Sequence, residues 1–241
     1  MNAPENTEES LQGLWSAVTS ALGEGTGGTH VLALVGQVCA QLLPVDGVSI
    51  SLVGGARTRE AVYGSDEQSD QIQRLQGSLG EGPSFEAYAT RRPILVPDLA
   101  ADSGARWPVF ATEIRAHPVG AVFAFPLQRG AIAIGALDLY RSEPGWLSAE
   151  EVTTALRIVD IATLALLALR VDSLQGEWVV ALPLDRAQVH QATGILISGL
   201  GVPAEQALAK LRAHAFSVGR MVDEIADDLV SGRIAPLDID L

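Results

Sequence analysis

The chain has 241 residues, 48% of them hydrophobic, and a formal net charge of −13 at pH 7. That apolar content supports a folded core and excludes a disordered chain. The acidity counts against a general nucleic-acid binder, whose phosphate contacts need Lys and Arg. The most apolar run, Ile161 to Leu169, is bounded by Asp160 and Arg170. It falls short of the roughly 20 residues that a transmembrane helix needs. The start, MNAPENTEES, is acidic and lacks the basic and apolar stretches of a signal peptide. No membrane partner and a cytoplasmic location are therefore expected. One cysteine, Cys39, excludes an intramolecular disulfide. It shares a helical apolar pattern with Val31, Leu34, Val35, Val38 and Leu42 and reads as a small core residue.

In chain order, residues 1–11 are expected to be disordered. A helix follows, with Leu11, Leu14, Trp15, Val18 and Leu22 at helical spacing. After a Gly-rich loop (23–28) a second helix spans about 29–43. The period then changes to two: Val48, Ser49, Ile50, Ser51 and Leu52 alternate as in a half-buried strand, and Gly54-Gly55 turns the chain into a partner strand over 57–63. Ser65 and Gln68 fit a capping box opening a polar helix that ends near Gly77. Residues 94–96 form a short strand between two prolines, and 121–127 and 131–140 a hairpin turning at Arg129-Gly130.

Ser148 and Glu151 form a second capping box, opening a long helix over 148–178 that ends before Pro183. It carries two apolar seams. One is Val152, Ala155, Val159, Ala162, Leu166 and Leu169; the other is Leu164, Leu167, Val171, Leu174 and Trp178. Both alternate steps of three and four. One seam can cover the sheet, and a second copy of the same helix is the simplest cover for the other, which predicts a homodimer. The rest is helical: 184–198, 203–215 and 218–230, with a turn at Gly199-Leu200-Gly201. The expected architecture is α+β, with an N-terminal domain over 12–172, a three-helix all-α module over 179–233 and a tail over 234–241.

The segment GEGPSFEAYATRRPILVPDLAAD (80–102), followed by RWPVF (106–110), VGAVFAFPLQRGAIAIGALDLY (119–140) and a last helix beginning LSAEE, resembles a GAF sensor domain. The order of elements over about 12–172 is the same. The last helices, RAQVHQATGILISGLGVPAEQALAKLRAHAFSVGRMVDEIADDLVSG (186–232), resemble the ANTAR output module of transcription antitermination regulators. Ala192, Gly194 and Leu196 meet its first-helix pattern, Leu211 and Arg212 the Leu-Arg pair of the second, and Ile225 and Ala226 the pair of the third. Thr193 stands where the family usually has Lys, and the Met and basic residue usual near Ile197 and Gly199 are missing. The fusion is an arrangement found in actinobacteria. The resemblance implies a non-enzymatic regulator that stabilises an RNA stem-loop in a leader transcript against a competing terminator.

No Ser-His-Asp order or paired-carboxylate site is discernible, and His30, His117, His190 and His214 lack metal-ligand spacing. Some GAF proteins are thiol-dependent reductases with cysteines in the pocket loops; here that loop position is Ser84. Neither a cofactor nor a metal is expected. The loop Gly77 to Pro83 reads as a linker; a small apolar ligand bounded by Phe85, Trp107, Phe110 and Phe123, or a cyclic nucleotide, are the alternatives, though Glu81 argues against a phosphate there.

Charge is spread unevenly. Residues 185–233 hold five basic side chains (Arg186, Lys210, Arg212, Arg220, Arg233) against six acidic ones (Asp185, Glu205, Asp223, Glu224, Asp227, Asp228). The third helix carries four of the acids, which would repel DNA from a recognition helix. The expected RNA face is Arg186, His190 and Thr193 from the first helix, Lys210 and Arg212 from the second, and Arg220. The alternative is an output that only dimerises or binds protein.

Overall fold

A computed structural model describes residues 3–24, 28–53, 59–101, 106–172 and 184–239. Among them the first domain comprises α1 (Ala3–Gly23), α2 (Gly28–Leu42), β1 (Gly47–Val53), β2 (Arg59–Gly64), α3 (Glu67–Leu79), α4 (Pro83–Thr90), β3 (Ile94–Val96), α5 (Pro108–Glu113), β4 (Ala121–Arg129), β5 (Ile132–Arg141) and α6 (Ala149–Asp172). The strands form one antiparallel sheet in the order β2-β1-β5-β4-β3. The Gly54-Gly55 turn and the 173–178 end of the long helix lie outside the described residues.

Strand alternation divides the core in two. Val48, Ile50 and Leu52 of β1, Phe123, Phe125 and Leu127 of β4, and Leu137 and Leu139 of β5 pack under α1, α2 and α6. The first seam of α6 supplies Ala155, Val159, Ala162 and Leu166 to that layer. Val122 and Ala124 face the other way, with Ile72, Leu75, Trp107 and Phe110. Gly135 is required where β5 pairs with the end of β1, because a Cβ there would lie 1.9 Å from the Ser51 carbonyl oxygen.

Several boundaries differ from the sequence reading. Helix α1 starts at Ala3, not near residue 12, and Glu8 pairs with Arg157 of α6. Strand β1 is not half-buried: Ser49 and Ser51 are 3% and 2% exposed, since α3 and α4 cover their face. Asp66, not Ser65, caps α3, accepting from the Ser69 N–H at 2.9 Å. Ser65 instead accepts from the Val48 N–H. The Ser148–Glu151 box is formed as read, with Glu151 accepting from the Ser148 N–H at 2.6 Å.

The C-terminal module is α7 (Leu184–Leu200), α8 (Ala204–Ser217) and α9 (Val222–Val230), closed by a 3-10 turn over Pro236–Ile239. Its core joins Ala192 and Leu196 to Ala207, Leu211, Ala215, Ile225, Ala226 and Leu229. Ile239, expected in a tail, is fully buried in this core. Helix α9 starts at Val222 rather than 218, where Gly219 turns the chain with φ +66°.

Candidate functional site

Helix α3 is polar, yet it is buried on one side. Gln73 and Gln76 project between α3 and the sheet, where both side-chain amides donate to the Asp138 carboxylate, at 2.5 and 3.2 Å. Gln73 also donates to Ser49, and the Gln76 carbonyl oxygen accepts from the Ser84 N–H at 2.8 Å. Ser51 and Ser84 hydroxyls lie 3.5 Å apart. The residues of this cluster are all nearly inaccessible. The hydrogen bonds among its members offset part of the cost of burying such a cluster.

The four aromatic residues read as lining one apolar pocket are not brought together. Phe123 belongs to the core under α1, α2 and α6, on the opposite face of the sheet from Trp107 and Phe110. Trp107 and Phe110 pack edge to face, 6.3 Å between ring centres. Phe85 is half-buried and turns toward the C-terminal module. Glu81 serves the fold, since one of its oxygens accepts from the Val109 and Phe110 N–H groups, both at 2.8 Å, and so caps α5.

The last turn of α3 grips the C-terminal module. The Arg212 Nε of α8 donates to the Gly77 carbonyl at 3.0 Å, and its guanidinium sits 5.9 Å from the Phe85 ring centre. Burial holds the Arg212 pKa below its ordinary value. The Ser78 hydroxyl accepts from the Val222 N–H at 3.1 Å, at the start of α9, and Arg74 lies 3.7 Å from Asp223. Gly80 closes α3 with φ +69°, and a Cβ there would press to 3.1 Å from Arg212. Clefts of about 410 and 250 Å³ flank this seam, and Phe216, 60% exposed, lines both.

The other residues of the expected RNA face are scattered. Thr193 is 6% exposed and its hydroxyl donates to the Val189 carbonyl, so it faces the module's core. His190 and Lys210 are half-buried. Arg220 is paired with Asp228 at 2.6 Å and Glu224 at 3.7 Å, and Arg233 with Asp227 and Asp228. The Arg186 side chain, and those of Val171, Leu174 and Trp178 in the second seam, lie outside the described residues. Leu164 and Leu167 of that seam are half-buried, and Leu167 packs on the sensor-side core. Cys39 is buried, which pushes its thiol up to about 12. Among the described residues no three His, Cys, Asp or Glu side chains gather as a metal site, and no helix is long and apolar enough to cross a membrane.

The structure is an α+β domain joined to a three-helix module, and comparison with known proteins identifies both as parts of a regulator. The GAF domain family matches residues 29–167 and the ANTAR domain family matches residues 184–230. The chain belongs to the GAF family, with an ANTAR domain as its C-terminal module. Three similar solved structures share the fold. The GAF domain of a phosphoenolpyruvate-protein phosphotransferase from Coxiella burnetii has 16% identity and a TM-score of 0.54, over 71% of this chain and 98% of that one. Its Acinetobacter counterpart has 12% identity and a TM-score of 0.54, over 68% and 95%. The free methionine-R-sulfoxide reductase of Neisseria meningitidis has 16% identity and a TM-score of 0.51, over 69% and 92%. No curated protein matches the chain.

Proposed function

We propose that the chain is a cytoplasmic, homodimeric transcription antitermination regulator whose ANTAR module binds RNA stem-loops under control of the GAF domain. The observation that carries this reading is helix α3. It joins the buried polar cluster of the sensor, through Gln73 and Gln76, to the output module, through Arg74, Gly77 and Ser78. Signal and output thus share one rigid element. Arg212, with Arg186, His190 and Lys210, supplies the contacts to phosphate; buried Thr193 drops out, and Arg220 is held by Asp228 and Glu224.

The signal that fits is a small polar molecule. The interior between sheet and α3 is filled by serine, glutamine and carboxylate groups, whereas the aromatic side chains lie on opposite faces of the sheet. The dimer uses the second seam of α6, Leu164 and Leu167, continued by Val171, Leu174 and Trp178.

The test is to crosslink the full-length protein to cellular RNA and sequence what is recovered. Stem-loops upstream of terminators should be enriched; recovery at background refutes RNA binding. A second reading, in which the module only dimerises or binds protein, is favoured by one observation: Arg212, Arg220 and Arg233 are all engaged within the chain. Background recovery of RNA with intact self-association is what that reading requires.

A further inference from the structure

The seam between the two domains is an exchange of helix caps. The C-terminal end of α3 presents carbonyl groups and the negative end of its dipole, and it receives a cation, Arg212, from α8. The N-terminal end of α9 presents N–H groups, and it receives a hydroxyl oxygen, Ser78, from α3. Arg74 and Asp223 add a charge pair beside them. Among the described residues no carboxylate lies within ion-pairing distance of Arg212. A carbonyl, a helix end and an aromatic face stand in place of an anion. Clefts border the seam, and Ser78, Leu79 and Phe216 line both.

Resting on the RNA reading above, we propose that helix α3 and RNA compete for the Arg212 face of the output module, so that the docked chain is the RNA-silent state. The guanidinium that would grip a phosphate has its Nε committed to Gly77 and one face set over Phe85. With the α3 backbone 3.0 Å away, a phosphate has no approach from that side. The release mechanism is adjacent in the chain. Gln76, bonded to Asp138 and Ser84, directly precedes Gly77 and Ser78, and Phe85 directly follows Ser84. A polar ligand that takes over the hydrogen bonds of Gln76 would shift the turn that carries the Gly77 and Ser78 contacts to the module. Binding energy at the cluster is thereby coupled to the seam.

The experiment uses the full chain and the variant Ser78→Arg. A cation in the last turn of α3 suits that helix, so the sensor should fold, but it opposes the positive start of α9 and fills the seam. Asp223→Arg is the second variant, setting like charges together, with Arg74→Asp as its compensating partner. Two quantities are read: amide exchange at Val222 to Ile225, and affinity for a stem-loop RNA by fluorescence anisotropy. Exchange should quicken, and RNA should bind about tenfold tighter if roughly 90% of the wild type is docked, because apparent affinity scales with the open fraction. Arg212→Ala added to Ser78→Arg should remove the gain, and Arg74→Asp with Asp223→Arg should restore docking. Faster exchange with wild-type RNA affinity overturns competition while leaving RNA binding standing. Unchanged exchange in both variants overturns the latch. An opened module that binds no RNA, like the wild type, overturns the RNA reading and the competition with it.

Discussion

Replacing Glu81 by Ala tests whether this loop carboxylate is a structural cap or part of a ligand site. Helix α5 begins after Trp107, which offers no side-chain cap, and Pro108 at its first position has no N–H. The first two free N–H groups, Val109 and Phe110, both donate to one Glu81 oxygen at 2.8 Å. A charge-assisted hydrogen bond contributes about 1.5–3 kcal/mol, and loss of an N-cap costs about 0.5–2 kcal/mol. Val109 is half-buried, so water can replace one bond; Phe110 is fully buried, so its N–H is left stranded. The net cost should be about 2 kcal/mol, between those limits. For a chain of this size it lowers the melting temperature by about 4–8 °C. Glu81→Gln keeps an oxygen without the charge and should lose about half as much. Scanning calorimetry of the three proteins measures this. A Glu81→Ala protein within about 0.5 kcal/mol of wild type, the range of ordinary surface changes, would refute the capping role.

Asp66 caps α3 and accepts from Tyr140, so Asp66→Ala should cost about 1–2 kcal/mol in urea unfolding at neutral pH. Burial alone would raise its carboxyl, but donors from Ser65, Ser69 and Tyr140 outweigh it and hold the pKa below the ordinary value. A lowered folded-state pKa gives stability that is present above the unfolded pKa of about 3.9 and is lost as pH falls through the folded one. The wild type should therefore converge on the variant in acid, and a gap that persists below that window counts against the assignment. Cys39, with its thiol raised to about 12, should resist a thiol reagent at mildly alkaline pH until denaturant is added; rapid native labelling would contradict its burial. Leu164→Glu with Leu174→Glu should give a monomer by analytical ultracentrifugation, since charge at a helix–helix contact is strongly unfavourable unless paired. An unchanged dimer excludes this seam.

Long periodic elements were legible in the sequence, and short ones were not. The first seam of α6, whose pattern repeats over many turns, lies on the side that meets the sheet. Helices α4 and α5, of eight and six residues, are too short for periodicity to register; Pro83 and Pro108 at their first positions were the available signals. The split of the aromatic residues was also readable. Phe123, Phe125 and Leu127 alternate along β4 and must share a face, which separates Phe123 from anything packed over Val122 and Ala124. What could not be read is the partner of Arg212. Gly77 lies 135 positions away, and the attraction comes from a backbone carbonyl at a helix end, which every sequence possesses.

That contact changes how the acidity of the chain bears on its function. The four acids of α9 count against nucleic acid when charge is summed along the sequence. In the fold, Asp223 faces Arg74, Asp227 and Asp228 face Arg233, Arg220 binds Asp228, and Glu224 reaches back to the Met221 N–H. The acids of α9 are thus neutralised locally by cations beside them, and their repulsion of phosphate is damped accordingly. Among the described residues, Arg212 has no carboxylate partner and is desolvated against a neutral carbonyl and an aromatic ring. A guanidinium in that state gains more from a phosphate than one already paired with carboxylate. On the competition proposed above, the guanidinium that anchors the docked seam is the one the released module would offer to phosphate, so a single side chain would take part in both states.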